Sequence, residues 1–340
     1  MPPRMRTTCV PVDAARHGER LDRALMATCG LSLRAARRLI ADGGIQVDGT
    51  PATAAQRLRA GQTIELPAAG QPADATADVV LLARHGDYVA FAKPAGLHSS
   101  PLAGRLAPTL EAAAQALWDA TARPAPLHFL QRLDRGTSGI VCAALSAEAA
   151  RRFRAEEADG CWSKCYLALL CGELAAPLTA NRALDVNNRR SSRVLDRAAP
   201  PLRQTRFYPL HALHGDAAAA VLAANGLPPA RRAVTLAACV IRCGARHQIR
   251  AHAASLGLPL CGDSRYGTPG DDQPSGAERF LLHHACLAGP GGRWLCLPAW
   301  QQMPFLGNHF RKWLETHSRY GTMSPTERGS AAGAPAWERA

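Results

Sequence analysis

The segment Leu130-Gln131-Arg132-Leu133-Asp134-Arg135-Gly136-Thr137-Ser138-Gly139 leads directly into an apolar run that begins at Ile140. Its single acidic residue, Asp134, lies between Arg132 and Arg135 in a glycine-containing stretch that predicts a loop. A loop that enters a buried strand holds a side chain near a pocket floor, and cationic neighbours favour the ionised form of a carboxylate. On spacing alone, an aspartate in a structural turn or ion pair is the simpler interpretation, so Asp134 is at this point a candidate.

The sequence around this segment mixes strand-like and helix-like patterns. Short apolar runs bounded by turn residues predict strands at 79–82, 88–93, 140–145, 166–171, 234–241 and 280–287. Amphipathic patterns predict helices at 147–157 and 248–256, and we interpret 211–232 as an inserted loop. Because strands and helices mix without regular β-α-β alternation, the pattern predicts an α+β domain in which helices flank a large mixed or antiparallel sheet.

The beginning of the chain predicts a smaller α+β unit over residues 16–66. Two helices, over 20–29 and 32–42, precede short strands in this unit. Burial of the apolar stripe on the second helix turns a group of basic side chains outward, namely Arg34, Arg37 and Arg38. A solvated helix face and an RNA contact both account for this group, which makes it a candidate RNA-binding surface.

The remaining segments complete the predicted division of the chain. Residues 67–78 are rich in Pro, Ala and Gly without hydrophobic periodicity, which predicts a linker. The larger domain is expected to occupy 79–317. Residues 1–15 are then an N-terminal extension, and the polar, Gly- and Pro-containing residues 318–340 are expected to form a disordered tail.

The charge balance indicates an anionic polymer as partner. The chain carries 40 basic against 27 acidic residues, a formal net charge of +13, and Lys93, Lys164 and Lys312 are its only lysines. Arginine offers a planar, permanently charged fork that suits phosphates and base edges. A GC-rich genome explains part of the preference for Arg over Lys, but it does not explain the excess of positive over negative charge.

Cysteine and histidine patterns give little support for a bound metal. The eleven cysteines contain no Cys-x-x-Cys pair, so neither a zinc site nor a disulfide framework is favoured. A site built from His247, His252, His283 and His284 lacks a suitably spaced carboxylate or thiolate. No apolar run reaches the roughly 18 residues of a membrane span, and no signal-peptide core is evident, so we expect no membrane contact and a cytoplasmic protein.

Five segments together resemble one enzyme family. The segment around Asp134 resembles the Arg-Leu-Asp-x-x-Thr-Ser-Gly signature of the pseudouridine synthases of large ribosomal and transfer RNA, with Gln131 where that family usually has His. Four further matches follow the family's order: Ala92-Lys93-Pro94-Ala95-Gly96-Leu97-His98, Lys164-Cys165-Tyr166-Leu167-Ala168, Gly244-Ala245-Arg246-His247-Gln248-Ile249-Arg250-Ala251-His252 and Gly262-Asp263-Ser264-Arg265-Tyr266-Gly267. Ala245 replaces an arginine of the family pattern. The resemblance extends from residue 16 to about residue 314 of the sequence.

The resemblance implies a role for each matching residue. It implies that Asp134 is the catalytic carboxylate, that Arg132 contacts RNA and helps to hold its helix open, that Tyr166 stacks on the target base, and that Arg250 pairs with the catalytic aspartate. Isomerisation of uridine to pseudouridine oxidises nothing and transfers nothing out, so we expect neither a cofactor nor a metal. Taken singly, a tyrosine on a strand such as Tyr166 is usually a core residue, and an arginine on a helix such as Arg250 is usually a solvated one.

The N-terminal unit resembles the S4-like RNA-binding module in its Gly18-Glu19-Arg20-Leu21-Asp22 opening and its Val47-Asp48-Gly49 turn. Among relatives, this module is more typical of enzymes that modify large-subunit ribosomal RNA, so structured RNA is the expected partner and 23S ribosomal RNA the expected substrate. Transfer RNA is an alternative substrate, and a non-catalytic RNA-binding or ribosome-assembly factor is an alternative of another class. We expect a bacterial-type monomer without an obligate protein partner.

Overall fold

The computed structural model describes residues 7–29, 33–41, 43, 45–67, 78–101, 107–121, 124–188, 191–227, 233–267 and 279–317. The chain divides into two compact units. One unit comprises residues up to 78 together with 97–113, and the other comprises 79–96 together with the chain from 114 onward. The interior of the predicted linker and the predicted tail 318–340 lie outside the described residues.

The first unit contains two helices packed on a small antiparallel sheet. Its elements are β1 (Thr7–Pro11), α1 (Leu21–Cys29), α2 (Leu33–Ala41), β2 (Gln46–Val47), β3 (Thr50–Pro51) and β4 (Thr63–Pro67). The four strands that the described residues form are ordered β1-β4-β2-β3. Apolar side chains of both helices and of the strands share one core, which includes Leu21, Leu25, Leu39, Ile45 and Ile64. The two predicted helices and the strands after them are confirmed, and β1 and β3 were not predicted.

A buried aspartate joins the two helices of this unit. The carboxylate of Asp22, on α1, accepts hydrogen bonds from Arg20 at 3.0 and 2.9 Å and from the Nε of Arg37, on α2, at 2.8 Å. The hydrogen bond from Arg20, followed by that from Arg37, holds the pKa of Asp22 well below its usual range despite burial. Arg37 therefore has a structural partner on one side of its guanidinium while its side chain stays half exposed.

The second unit is built on a large sheet. Its strands are β5 (Val80–His85), β6 (Tyr88–Lys93), β7 (His128–Phe129), β8 (Ser138–Ala144), β9 (Ser163–Cys171), β10 (Leu178–Ala180), β13 (Thr205–Leu213), β14 (Val234–Ile241), β15 (Leu282–Gly289) and β16 (Gly292–Leu295). In the described part of the chain the main order is β10-β13-β14-β9-β15-β8-β6-β5, with β16 beside β15 and β7 beside β8. β8 and β15 run parallel and the other described pairs run antiparallel, so the predicted mixed sheet is confirmed.

Helices and one separate hairpin accompany this sheet. The helices are α4 (Ala147–Ala158), α5 (Gly215–Ala224), α6 (Gln248–Ser255) and α7 (Leu306–Thr316), together with the part of α3 (Leu110–Asp119) that follows residue 113. The hairpin pairs β11 (Arg182–Asp185) with β12 (Arg193–Ala198). α4 and α6 coincide with the predicted helices to within one residue at each end, which confirms the predicted α+β fold class.

The interpretation of 211–232 as an inserted loop is wrong over residues 211–224, and residues 228–232 lie outside the described ranges. β13 extends through Leu213, and α5 begins two residues later. Ala218, Val221 and Leu222 are buried at the helical spacings i, i+3 and i+4, and they pack into the core beside β14. Because most residues of this helix are alanines, its sequence has only a weak amphipathic pattern. Flanked by glycines, such a sequence is easily interpreted as a loop.

The central strands are buried on both faces and hold the site rigidly. Every residue of β14 and of β15 is buried, as are the first eight residues of β9. One core cluster lies between β9, β14, α5 and α7, and another lies between β6, β8 and α4. In the second cluster, Tyr88, Phe153 and Trp162 make tilted and edge-on ring contacts at 4.5–6.1 Å.

Gly139, at the start of β8, permits the parallel pairing with β15. Its φ is +109°, and a Cβ placed there would lie 2.3 Å from the backbone oxygen of His284. We expect Gly139→Ala to lower the free energy of unfolding by about 2–3 kcal/mol in urea denaturation, because strained backbone and overpacking add together. Gly86→Ala is the control, since its φ is +54° but no atom lies within 4 Å, and about 1 kcal/mol is expected. Equal losses in the two variants would contradict the packing argument.

Candidate active site

Asp134 lies on the loop between β7 and β8, as the sequence predicts. The loop turns back on itself because the amide of Thr137 donates to the backbone oxygen of Asp134 at 3.1 Å. The next carbonyl, that of Arg135, accepts hydrogen bonds from the amide of Gly96 at 2.7 Å and from Lys93 Nζ at 3.3 Å. The end of β6 and the residues after it therefore fix the backbone directly after the carboxylate, whose side chain stays 23% exposed.

A buried arginine lies against this carboxylate. Arg250, on α6, has a fully buried side chain, and its Nη1 lies 3.3 Å from Asp134 Oδ2. The same guanidinium forms a bidentate pair with Asp263, at 2.7 Å from Nε and 2.8 Å from Nη2. Asp263 Oδ1 also accepts the amides of Arg265 and Tyr266 at 3.1 and 3.2 Å. Asp263 thus orients the arginine, and the third nitrogen of the guanidinium points to Asp134.

Two aromatic rings enclose the Arg250 guanidinium. Its Cζ lies 4.2 Å from the ring centroid of Phe280 and 5.3 Å from that of Tyr266. Cation–π contacts of this kind are strongest where water is excluded. They keep the cation in place at a position where it has no exposure to solvent.

Tyr166 lies on β9, stacked on a histidine of the neighbouring strand. Its ring centroid is 4.5 Å from that of His284, and the two planes differ by 14°. Burial, and secondly the charge of Asp134, raise the pKa of Tyr166 above its usual value, so the phenol is neutral. Burial lowers the pKa of His284 to about 3, so this ring is neutral as well, and its Nδ1 donates to the oxygen of Ile140 at 2.6 Å. The stack is a flat, uncharged aromatic surface.

Two further residues, Lys93 and His247, lie near Asp134, and a third, Asp263, supports Arg250. None of the three was predicted as a catalytic or binding residue. Burial lowers the pKa of Lys93 to about 7 against the opposing charge of Asp134. His247 Nε2 lies 3.7 Å from Asp134 Oδ1, and Asp263 acts through Arg250. All three fall inside segments that carry the family resemblance, which was the available signal. Sequence spacing alone does not show which residue of such a segment points to the carboxylate.

The other predicted contact residues are placed as follows. Arg132 is exposed on the Asp134 loop, and Arg37 is half exposed and paired with Asp22. The side chains of Arg34 and Arg38 lie outside the described residues. The structure therefore brings Asp134, Arg250 and Tyr166 into one site, while Arg37 belongs to the first unit.

Two of the four histidines considered for a metal site, His252 and His283, serve the fold instead. His252 bonds Thr205 Oγ1 at 2.8 Å through Nδ1 and the oxygen of Arg182 at 2.9 Å through Nε2. His283 is likewise engaged through both ring nitrogens, with Ser138 Oγ and the oxygen of Cys296. Within the described ranges, no group of three His, Cys, Asp or Glu side chains has the geometry to hold a metal ion. Over the same ranges, no helix is both long and apolar enough to cross a membrane.

Comparison with known proteins agrees with this geometry. Residues 87–255 match the family model of RNA pseudouridylate synthase, and residues 19–64 match that of the S4 domain. The chain is 30% identical to an RNA pseudouridine synthase of Mycobacterium bovis over 308 residues, which cover 82% of this chain and 88% of that one. It is 30% identical over 173 residues to ribosomal large subunit pseudouridine synthase C of Salmonella typhi, covering 47% of each chain.

One further relative and one solved structure are also similar to this chain. A tRNA pseudouridine synthase C of Yersinia pestis is 30% identical over 169 residues, which cover 47% of this chain and 62% of that one. The solved structure of human RNA pseudouridylate synthase domain containing 1 shares the fold with a TM-score of 0.50 at 21% identity, over 66% of this chain and 84% of that chain. The extent of the match to the Mycobacterium bovis protein decides the assignment: the chain belongs to the RNA pseudouridylate synthase family and is an isomerase that converts uridine in RNA to pseudouridine.

Proposed function

We propose that this enzyme modifies uridines of large-subunit ribosomal RNA and that Asp134 is its catalytic carboxylate. The observation that carries the proposal is the position of Asp134, which is partly exposed and lies 3.3 Å from a fully buried arginine. Tyr166, which stacks on His284, lies close enough to Asp134 for the charge of that carboxylate to help raise its pKa. A carboxylate, a fixed cation and a flat aromatic surface are the groups that the reaction requires.

The reaction rearranges one nucleoside. The bond from ribose carbon 1′ to ring nitrogen 1 breaks, the base turns, and carbon 1′ joins ring carbon 5, which then loses its proton. Asp134 takes part either as a nucleophile towards the sugar or the ring, or as the base that removes a ribose proton. Both routes need the ionised carboxylate, so both need a cation that stabilises it.

Arg250 is the cation that lies beside the negative charge of Asp134 in this proposal. A site that receives a base excludes water, and desolvation disfavours a charged carboxylate unless a cation lies beside it. Because Asp263 holds Nε and Nη2, the guanidinium has no freedom to turn away from Asp134. The cation is therefore in position before RNA binds, which spares the cost of ordering it during the reaction.

The target uridine has to leave its helix to reach Asp134. Unstacking costs a few kcal/mol, and stacking on an aromatic side chain returns roughly 1–3 kcal/mol per base. We assign that surface to Tyr166. The exposed Arg132 is assigned to the RNA beside the vacated position, and the net charge of +13 supports phosphate contacts elsewhere, including the group Arg34, Arg37 and Arg38 on α2.

The choice of ribosomal RNA rests on the S4 domain at residues 19–64. We expect this module to bind structured RNA near the modified uridine. Transfer RNA is the second candidate, favoured by the similarity to tRNA pseudouridine synthase C of Yersinia pestis. We further propose a cytoplasmic monomer whose domains keep the predicted boundaries at 16–66 and 79–317.

Release of tritium from RNA labelled at carbon 5 of uridine tests the proposal, since that hydrogen is lost when carbon 1′ joins carbon 5. The substrates are ribosomal RNA and transfer RNA from a strain that lacks this gene. We expect release from large-subunit ribosomal RNA and none from transfer RNA. Release from transfer RNA alone would overturn the ribosomal assignment, and no release from either RNA would overturn the proposed role of the site.

A further inference from the structure

His247 faces the oxygen of Asp134 that Arg250 leaves free. Its Nε2 lies 3.7 Å from Oδ1, whereas Arg250 holds Oδ2 at 3.3 Å. The imidazole is largely enclosed, with 12% of its side chain exposed. At 3.7 Å the contact is electrostatic, and a shift of about 0.7 Å would bring it to the roughly 3.0 Å of an ordinary hydrogen bond.

The protonation of this imidazole follows from its other neighbour. The Nδ1 of His247 lies 3.0 Å from the hydroxyl of Tyr266, and that hydroxyl accepts the amide of Ser192 at 2.7 Å. The hydroxyl proton is then available for Nδ1, which leaves the imidazole proton on Nε2. An unprotonated Nε2 would also set two lone pairs against each other at Asp134 Oδ1. Both arguments place an N–H on Nε2, directed towards the carboxylate.

The backbone of His247 is strained in a way that places this ring. With φ 52° and ψ 21°, the residue is left-handed, and it immediately precedes α6, the helix that carries Arg250. Such a conformation is unfavourable for a non-glycine residue and persists where the surroundings require it. His247 and Arg250, the two groups that face Asp134, thus lie on one short segment of chain.

The hydrogen bonds behind the ring extend to the β11–β12 hairpin. Ser192, at the start of β12, is buried, and its hydroxyl donates to the oxygen of Arg246 at 2.6 Å. Arg246 in turn donates from Nη1 to the oxygen of Asn188 at 3.0 Å. The connection between β11 and β12 thus holds the residue before His247 as well as the tyrosine behind it, so the ring has little freedom to rotate.

From this geometry we infer that His247 is a positioning residue, which donates from Nε2 to Asp134 Oδ1 and so fixes the rotation of the catalytic carboxylate. Tyr266 sets the tautomer that makes this possible. The inference rests on the proposed role of Asp134. With Arg250 on one oxygen and His247 on the other, the carboxylate presents one defined orientation to the nucleoside.

The variant His247→Gly tests the inference, because glycine relieves the left-handed backbone while removing the ring. We expect kcat for tritium release to fall roughly 10- to 100-fold, as for other residues that orient a reacting group, with KM for RNA within about twofold. At about pH 8.5, where imidazoles are neutral, added imidazole should restore activity severalfold. N-methylimidazole, which fills the same space but has no N–H, should not.

Tyr266→Phe supplies a second route to the same answer, since it keeps the ring beside Arg250 and removes only the hydroxyl. We expect the kcat of Tyr266→Phe to fall several-fold. The double variant Tyr266→Phe/His247→Gly should have the same kcat as His247→Gly alone. An unchanged kcat in His247→Gly, or equal rescue by both imidazoles, overturns the inference. Activity of Asp134→Asn in the same assay would instead overturn the proposed function, so the two failures are distinguishable.

Discussion

Asp134→Asn is expected to abolish pseudouridine formation, with kcat lowered at least about 10³-fold, while the affinity for RNA stays within about tenfold. Asparagine has the shape of aspartate, but its neutral amide neither attacks carbon 1′ nor accepts a ribose proton. The fold should tolerate the change, because Arg250 keeps its bidentate partner Asp263 and Lys93 still donates to the backbone oxygens of Pro94 and Arg135. Tritium release and RNA binding by filter retention measure the two quantities.

Asp87→Asn is the matched control for this variant. Asp87 is an exposed carboxylate in the β5–β6 turn, paired with Arg152, at the opposite end of β6 from Lys93. Its kcat should stay within about twofold of the unmodified enzyme, since exposed ion pairs contribute little. Turnover by Asp134→Asn above about one per cent of the unmodified rate would refute the role of the carboxylate.

The sequence was sufficient for most of the fold because its strands are strongly patterned. The apolar runs of β9, β14 and β15 and the helical spacing of α4 and α6 are local signals, and the observed bounds agree with them. Strand pairing does not follow from such local signals, because β15 pairs with β8 and β9, which lie in distant parts of the chain. The alanine-rich α5 was missed because its buried face consists of small side chains, which carry little hydrophobic contrast.

The candidate site shows the same division between local and tertiary information. Family resemblance identified Asp134, Tyr166 and Arg250 as candidates, and the structure brings the arginine to the aspartate across 116 residues of sequence. It did not identify Asp263, although this residue fixes the arginine more tightly than Asp134 does. Which member of a motif supports another depends on side-chain direction, and spacing within a loop such as 262–267 does not reveal it.

Arg250→Met is expected to lower the free energy of unfolding by about 3–5 kcal/mol, because it leaves the fully buried carboxylate of Asp263 without its cation. For a domain of this size, that loss lowers Tm by roughly 10 °C. Turnover should fall at least about 10²-fold at temperatures where the variant is folded, since Asp134 loses the cation beside its Oδ2. Urea denaturation and tritium release measure the two effects.

A second substitution separates the effect on stability from the effect on catalysis. Adding Asp263→Asn to Arg250→Met removes both buried charges, and the asparagine oxygen still accepts the amides of Arg265 and Tyr266. Replacing a buried ion pair by neutral groups is often nearly neutral for stability, so the double variant should recover most of the lost free energy of unfolding. Its activity should stay as low as that of Arg250→Met, because no cation is left beside Asp134 Oδ2. Recovery of both quantities together would mean that Arg250 serves only the fold, and the electrostatic role assigned to it would be wrong.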